Sequence, residues 1–203
     1  MGATVLTEPI PSKMKAHKRA FEYLAEDDPD LENTTILFTD ADTIVGRSWA
    51  RSMKASAESL DEGYGSTVFG LVLFSHSDSR LTNLSRNIDH SFTQFRSRAS
   101  RGMMPPIARG ANCAIRFGGN KLILSELFKL PDDVFPEDTA LRDLVINMGG
   151  LAQPSLRPNA IAMSRGDRYS NFAEYLAARR RKISYKALYA RDYGTTHTAY
   201  QED

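Results

Sequence analysis

An α/β fold, a sheet with helices packed against it, is what this sequence predicts, and three observations predict it. Residues 34–39 (TTILFT) form a β-prone run without the alternation of a half-exposed strand, so they read as a central strand buried on both faces. Residues 48–60 follow with Trp49, Met53, Ala57 and Leu60 at helical spacing. Residues 66–74 (STVFGLVLF) then return to a continuous apolar run. Strand, helix and strand in succession argue for an α/β sheet, in one domain over residues 1–194 with a flexible tail at 195–203.

The remaining elements are placed by their punctuation. Residues 4–8 are a short β-branched run stopped by Pro9 and Pro11. Ser12 caps a helix to about residue 25, with Ala16, Ala20, Phe21 and Leu24 as its buried stripe and Lys13, Lys15, Lys18 and Arg19 outside. A polar helix over 81–98 places Leu84, Ile88, Phe92 and Phe95 on one side. The Gly/Pro-rich stretch 102–110 is a loop, 112–116 a short strand and 121–129 a short helix. Residues 136–148 form a helix ended by Gly149 and Gly150. A last helical pattern, very basic in its middle, covers 171–190.

Composition narrows the function classes. The 203 residues carry 26 Lys plus Arg against 25 Asp plus Glu, so a net charge of +1 creates no whole-protein field for nucleic acid or anionic membrane, and any anion must be bound locally. The single cysteine, Cys113, forms no internal disulfide and reads as an inert core residue. No stretch approaches the roughly 20 apolar residues of a transmembrane helix, and no signal peptide opens the chain, so a cytoplasmic location is expected. His17, His76, His90 and His197 lack zinc-site spacing, and nucleophile-elbow, phosphate-loop and dinucleotide-binding glycine patterns are all missing.

Four constellations remain. Asp40-Ala41-Asp42 ends the first apolar run, where ligands gather in open α/β sheets, and a bend there lets two carboxylates approach one hard cation. The same aspartates are as well explained by ending a strand and capping the next helix. Glu137 and Asp138 open a helix, where the macrodipole alone accounts for acidic side chains, or where one of them acts as a general base. Gly110, Ala111 and Asn112 form either a plain tight turn or a place where a ligand approaches the backbone and Asn112 meets sugar hydroxyls. Arg179 to Lys182 is either a solvated basic face, a clamp for a diphosphate, or a nucleic-acid contact.

Taken in order, ILFTDADTIVGRSW, ARGANCAIR and FPEDTALRDLVINMGG, preceded by GATVLTEPIPSKMKAHKRAF, resemble the later two-thirds of a family 2 glycosyltransferase domain. The resemblance covers residues 2–182 and implies a GT-A-like mixed, mostly parallel sheet flanked by helices. It also implies N-terminal truncation: the family's opening nucleotide-binding strand has no counterpart, so the chain is a portion of an enzyme or uses a second chain to supply that strand.

The resemblance further implies roles. Asp42 and Asp40 would hold Mn²⁺ or Mg²⁺, and with Lys13 and Arg181 bind a nucleoside diphosphate sugar donor. Asp138 would be the general base toward a hydroxyl-bearing acceptor, with Glu137 orienting it, and Gly110, Ala111 and Asn112 would line the acceptor side. Inverting transfer of a sugar to that hydroxyl is the activity implied. A competing expectation is a catalytically inactive binding or scaffold protein that keeps the sheet and needs a partner chain.

Overall fold

The computed structural model describes residues 4–7, 9, 12–60, 63–74, 80–99, 106, 108, 110–132, 137–164, 171–178 and 180. Ser12 caps the first helix, α1 (Lys13–Asp27), its side chain accepting a hydrogen bond from the Lys15 amide at 3.1 Å. Strands β1 (Thr35–Phe38) and β2 (Thr43–Val45) flank the Asp40–Asp42 turn, and α2 (Trp49–Glu58) follows. Next come β3 (Ser66–Gly70), β4 (Val72–Phe74) and the 20-residue α3 (Arg80–Ala99). A 3-10 turn, Gly110–Asn112, leads into β5 (Cys113–Arg116), followed by α4 (Lys121–Lys129) and α5 (Glu137–Asn147). Strand β6 (Leu151–Ser155), the 3-10 turn Pro158–Ala160 and β7 (Ala162–Ser164) come next, and residues 172–178 are helical.

The α/β class holds, with two mixed sheets. One has the order β1-β5-β3-β6, the other β2-β7-β4. The expectation of mostly parallel pairing is corrected: among the described residues β1–β5, β3–β5 and β2–β7 are antiparallel, whereas β3–β6 and β4–β7 are parallel. Strands β1, β3 and β6 do share one direction, but the reversed β5 lies between β1 and β3 and turns both of its pairings antiparallel. That single reversal positions the site. It brings the start of β5 to the edge where β1, β3 and β6 end.

Alternation along β5 joins two cores. Ile115 faces Phe21 of α1, Ile123 and Leu127 of α4, and Leu141 and Val145 of α5. Ala114 faces the other way, onto Trp49, Met53 and Ala57 of α2. The main sheet therefore lies between two helical layers. At the end of α5, Gly149 adopts φ 87° while its amide donates to Ile146 and that of Gly150 donates to Val145, a Schellman closure that releases the chain into β6.

Other expectations are corrected. Residues 4–7 form no strand and are exposed. Strand β1 is an edge of its sheet and half-buried throughout, because an apolar run reports on the faces of a strand and not on its lateral neighbours. The run 66–74 is two strands, passing from one sheet to the other at Leu71. On α1 the buried residues are Met14 and Phe21, and Ala16 is exposed. On α3 the expected apolar side faces outward: Leu84, Ile88, Phe92 and Phe95 are exposed, while Thr82, Arg86, His90, Gln94 and Ser97 are buried. The last helical pattern is described only to 178 and at 180, so its later part lies outside the described residues, as do most of 102–110 and all of 195–203. Among the described residues no helix is long and apolar enough to cross a membrane.

Candidate functional site

Three segments meet at the carboxyl edge of the main sheet. Asp40 lies just beyond β1, in a turn closed by the Thr43 amide donating to the Asp40 carbonyl at 3.0 Å. Gly110 opens the turn before β5, and its amide donates to Asp138 Oδ2 at 3.0 Å. A methyl group in place of a Gly110 hydrogen would stand 3.9 Å from Asp40 Oδ1 and 4.0 Å from Asp138 Cβ, so both aspartates flank this one residue. Asp40 and Asp138, far apart in the chain, thus stand on either side of Gly110 at this edge of the sheet.

Asp138 is oriented from its own helix end as well. The Thr139 amide donates to Asp138 Oδ1 at 2.7 Å, one of the free N–H groups of the first turn of α5. Oδ1 also accepts from the Thr139 hydroxyl at 3.4 Å, whereas Oδ2 accepts the Gly110 amide and keeps a lone pair for a further donor. Glu137 beside it is only 5% exposed.

Lys13, in the first turn of α1, joins the two acidic segments. Its ammonium lies 3.0 Å from Glu137 Oε1 and 3.2 Å from Asp40 Oδ1. Burial works to lower the Lys13 pKa, but the hydrogen bond and charge of Glu137, followed by those of Asp40, outweigh it and leave the pKa above the ordinary lysine value. One helical turn on, His17 packs its ring 5.2 Å from Phe38. Burial depresses the His17 pKa, opposed in part by Glu137, and its Nδ1 finds no hydrogen-bond partner. The lack of zinc-site spacing does not reveal this position; the available signal is the i+4 spacing of His17 from Lys13 on a helix that begins at the site.

The other expected residues are distributed differently. Asp42 is exposed in the turn between β1 and β2. Ala111 is buried. Asn112 is fully buried and its amide is engaged inside the fold: Oδ1 accepts from Trp49 Nε1 at 2.8 Å, and Nδ2 donates to the carbonyls of Ala160 at 2.7 Å and Leu71 at 3.0 Å. These three bonds tie α2, the crossing between the sheets and the Pro158–Ala160 turn to the start of β5, so Asn112 is the clasp of this edge. Arg181 lies outside the described residues. Cys113 is buried, and burial with the Asp138 charge keeps its thiol well above the usual range, as an inert core residue requires.

Among the described residues no three His, Cys, Asp or Glu side chains form a group able to hold a metal by themselves. The donors that are present, the part-exposed Asp40 and exposed Asp42 carboxylates, are hard oxygen ligands of the kind that share a divalent cation with a substrate's phosphates. The sequence matches no family model and no curated protein.

Proposed function

We propose that this chain is a metal-dependent, inverting glycosyltransferase of the GT-A type, or the catalytic portion of one, moving a sugar from a nucleoside diphosphate donor to an acceptor hydroxyl. The observation that carries the reading is the meeting of Asp40 and Asp138 around Gly110, with Lys13 paired to Asp40 and Glu137, at the edge where β1, β3 and β6 end. In this reading the acceptor hydroxyl lies against Asp138, whose carboxylate is aimed by the Gly110 and Thr139 amides and takes the proton as the oxygen attacks. Glu137 holds Lys13, and Lys13 places a positive charge beside the donor's phosphates. Asp40 and Asp42 would hold Mn²⁺ or Mg²⁺, which supplies neutralisation of the charge developing on the departing diphosphate.

A second reading, a non-catalytic binding or scaffold protein that works with a partner chain, is favoured by one observation: Lys13 already supplies the acidic cluster with an internal cation. Titration calorimetry with UDP, GDP and their sugar conjugates in the presence of Mn²⁺ separates the two. Asp138→Asn is expected to leave nucleotide binding intact and to lower transfer by about 10²–10⁴-fold. Heat from no nucleotide would remove the enzyme reading of this chain, and normal turnover in Asp138→Asn would remove the assigned base.

A further inference from the structure

Helix α3 presents a continuous apolar stripe to solvent. Leu81, Leu84, Ile88, Phe92 and Phe95 follow one another at intervals of three and four residues and are each between 56% and 62% exposed. Over the fifteen residues from Leu81 to Phe95 the stripe is roughly 20 Å long. Between Leu81, Leu84, Ile88 and Phe92 it opens into a shallow groove of about 400 Å³ that Ser85 and Asp89 complete. The helix is fixed in this orientation by its other side. Asn87 Oδ1 accepts from the Phe74 amide at 2.8 Å and its Nδ2 donates to the Phe74 carbonyl at 3.3 Å, while the buried Arg86 guanidinium lies 3.8 Å over the Phe74 ring. Rotating the stripe inward would break all three contacts.

Charge decides what fits this face. Arg80, Arg96 and Arg98 of α3 are exposed near the two ends of the stripe, and the half-buried Asp89 is the only carboxylate of the helix. The Arg96 guanidinium carbon lies 5.8 Å from the centre of the Phe92 ring and over it, so a positive charge stands against the stripe. A second copy is a poor occupant. Antiparallel pairing centred on Ile88 sets position 80 against position 96, and parallel pairing sets each arginine against itself, so like charges meet either way. Five side chains about 60% exposed also offer on the order of 500 Å², short of the roughly 800 Å² that each partner of a stable complex buries. An apolar stripe of phenylalanines and leucines bordered by arginines is instead the composition of a helix lying in the interfacial plane of an anionic bilayer.

We propose that α3 is a membrane-docking helix that seats Leu81, Leu84, Ile88, Phe92 and Phe95 in the headgroup boundary of an anionic lipid surface, with Arg80 and Arg96 against the lipid charges. This adds a peripheral membrane association to the chain and is independent of its proposed catalytic role.

Flotation of the full chain with phosphatidylcholine vesicles, and with vesicles containing about a third phosphatidylserine, tests it. The chain is expected to float with the anionic vesicles and not with the neutral ones, less so as salt is raised. Phe92→Ser with Phe95→Ser should lower the bound fraction at least about tenfold, with an unchanged melting curve. Arg80→Gln with Arg96→Gln should lower it about 25-fold, at about fivefold per arginine, and tests the face even where the first pair disturbs folding. Binding to neither vesicle, equal binding to both, or anionic-vesicle binding untouched by both double variants would overturn the proposal. So would a sedimenting dimer that Phe92→Ser with Phe95→Ser disperses, which would assign the stripe to a second copy.

Discussion

Helices α1 and α3 carry comparable one-sided patterns, and they resolve them in opposite ways. In α1 the side chains of Met14 and Phe21 are buried, Phe21 in the main core against Phe117, with ring centres 5.6 Å apart. In α3 the phenylalanines are outside, and the helix is attached through Arg86, Asn87 and His90, all directed at Phe74 of β4. The difference teaches that amphipathicity separates two faces of a helix without saying which one the sheet receives. A sheet surface made of apolar side chains takes the apolar face, as β5 does through Ile115. A short strand such as β4 offers backbone groups and one aromatic ring, and it takes amide and guanidinium partners.

The contrast can be broken by substitution. Phe21→Ala should cost about 3–5 kcal/mol in denaturant unfolding, because it empties a fully buried aromatic site, whereas Phe92→Ala should change stability by no more than about 0.5 kcal/mol. Equal losses would mean that α3 buries its stripe in solution. On the inner side of α3, Asn87→Leu should cost about 1–3 kcal/mol by leaving the amide and carbonyl of Phe74 without these partners. A neutral result there would show that the helix is not held through its polar face.

The smallest effect sharpens the other helix. His17 is harder to protonate in the fold than in the unfolded chain, where its pKa is the ordinary 6.5, and burial is the main cause. Above pH 6.5 neither state binds that proton; as the pH falls below it the unfolded state takes the proton first, so stability declines toward the lower folded pKa. Replacing His17 by Phe should therefore flatten the acid side of the stability profile over that window. An unchanged profile, measured by thermal melts from pH 7 to pH 5, would place the titration elsewhere.

Much of the fold was legible because its signals are local. The cap at Ser12, the helix Lys121–Lys129, the Trp49, Met53 and Ala57 spacing of α2 and the Gly149 closure each depend on neighbours within a few residues. The candidate site was legible as a set of acidic positions, since Asp40 and Asp138 each stand at an element end. The bridge that Lys13 makes between Asp40 and Glu137, and the position of His17 behind it, were not. Both depend on where α1 packs, which no spacing within α1 reveals. Asn112 shows the same limit: its sequence context suits a ligand contact, but the crossing at Leu71 and the turn at Ala160 engage its amide first.

By itself the sequence determined the helices α1 to α5, the apolar strand runs at 34–39, 66–74 and 112–116, and which carboxylates lie at element ends, because capping, turn geometry and side-chain periodicity act over one or two turns of chain. It did not mark β2, β6 or β7, and it placed a strand at 4–8 where residues 4–7 form none. Only the tertiary structure decided that β5 runs backwards between β1 and β3, that α3 turns its phenylalanines outward, and that Gly110 stands between Asp40 and Asp138. Those choices depend on which surfaces meet across the fold, and the competing arrangements share the same local preferences, so only the summed burial and hydrogen bonding of the whole chain selects among them.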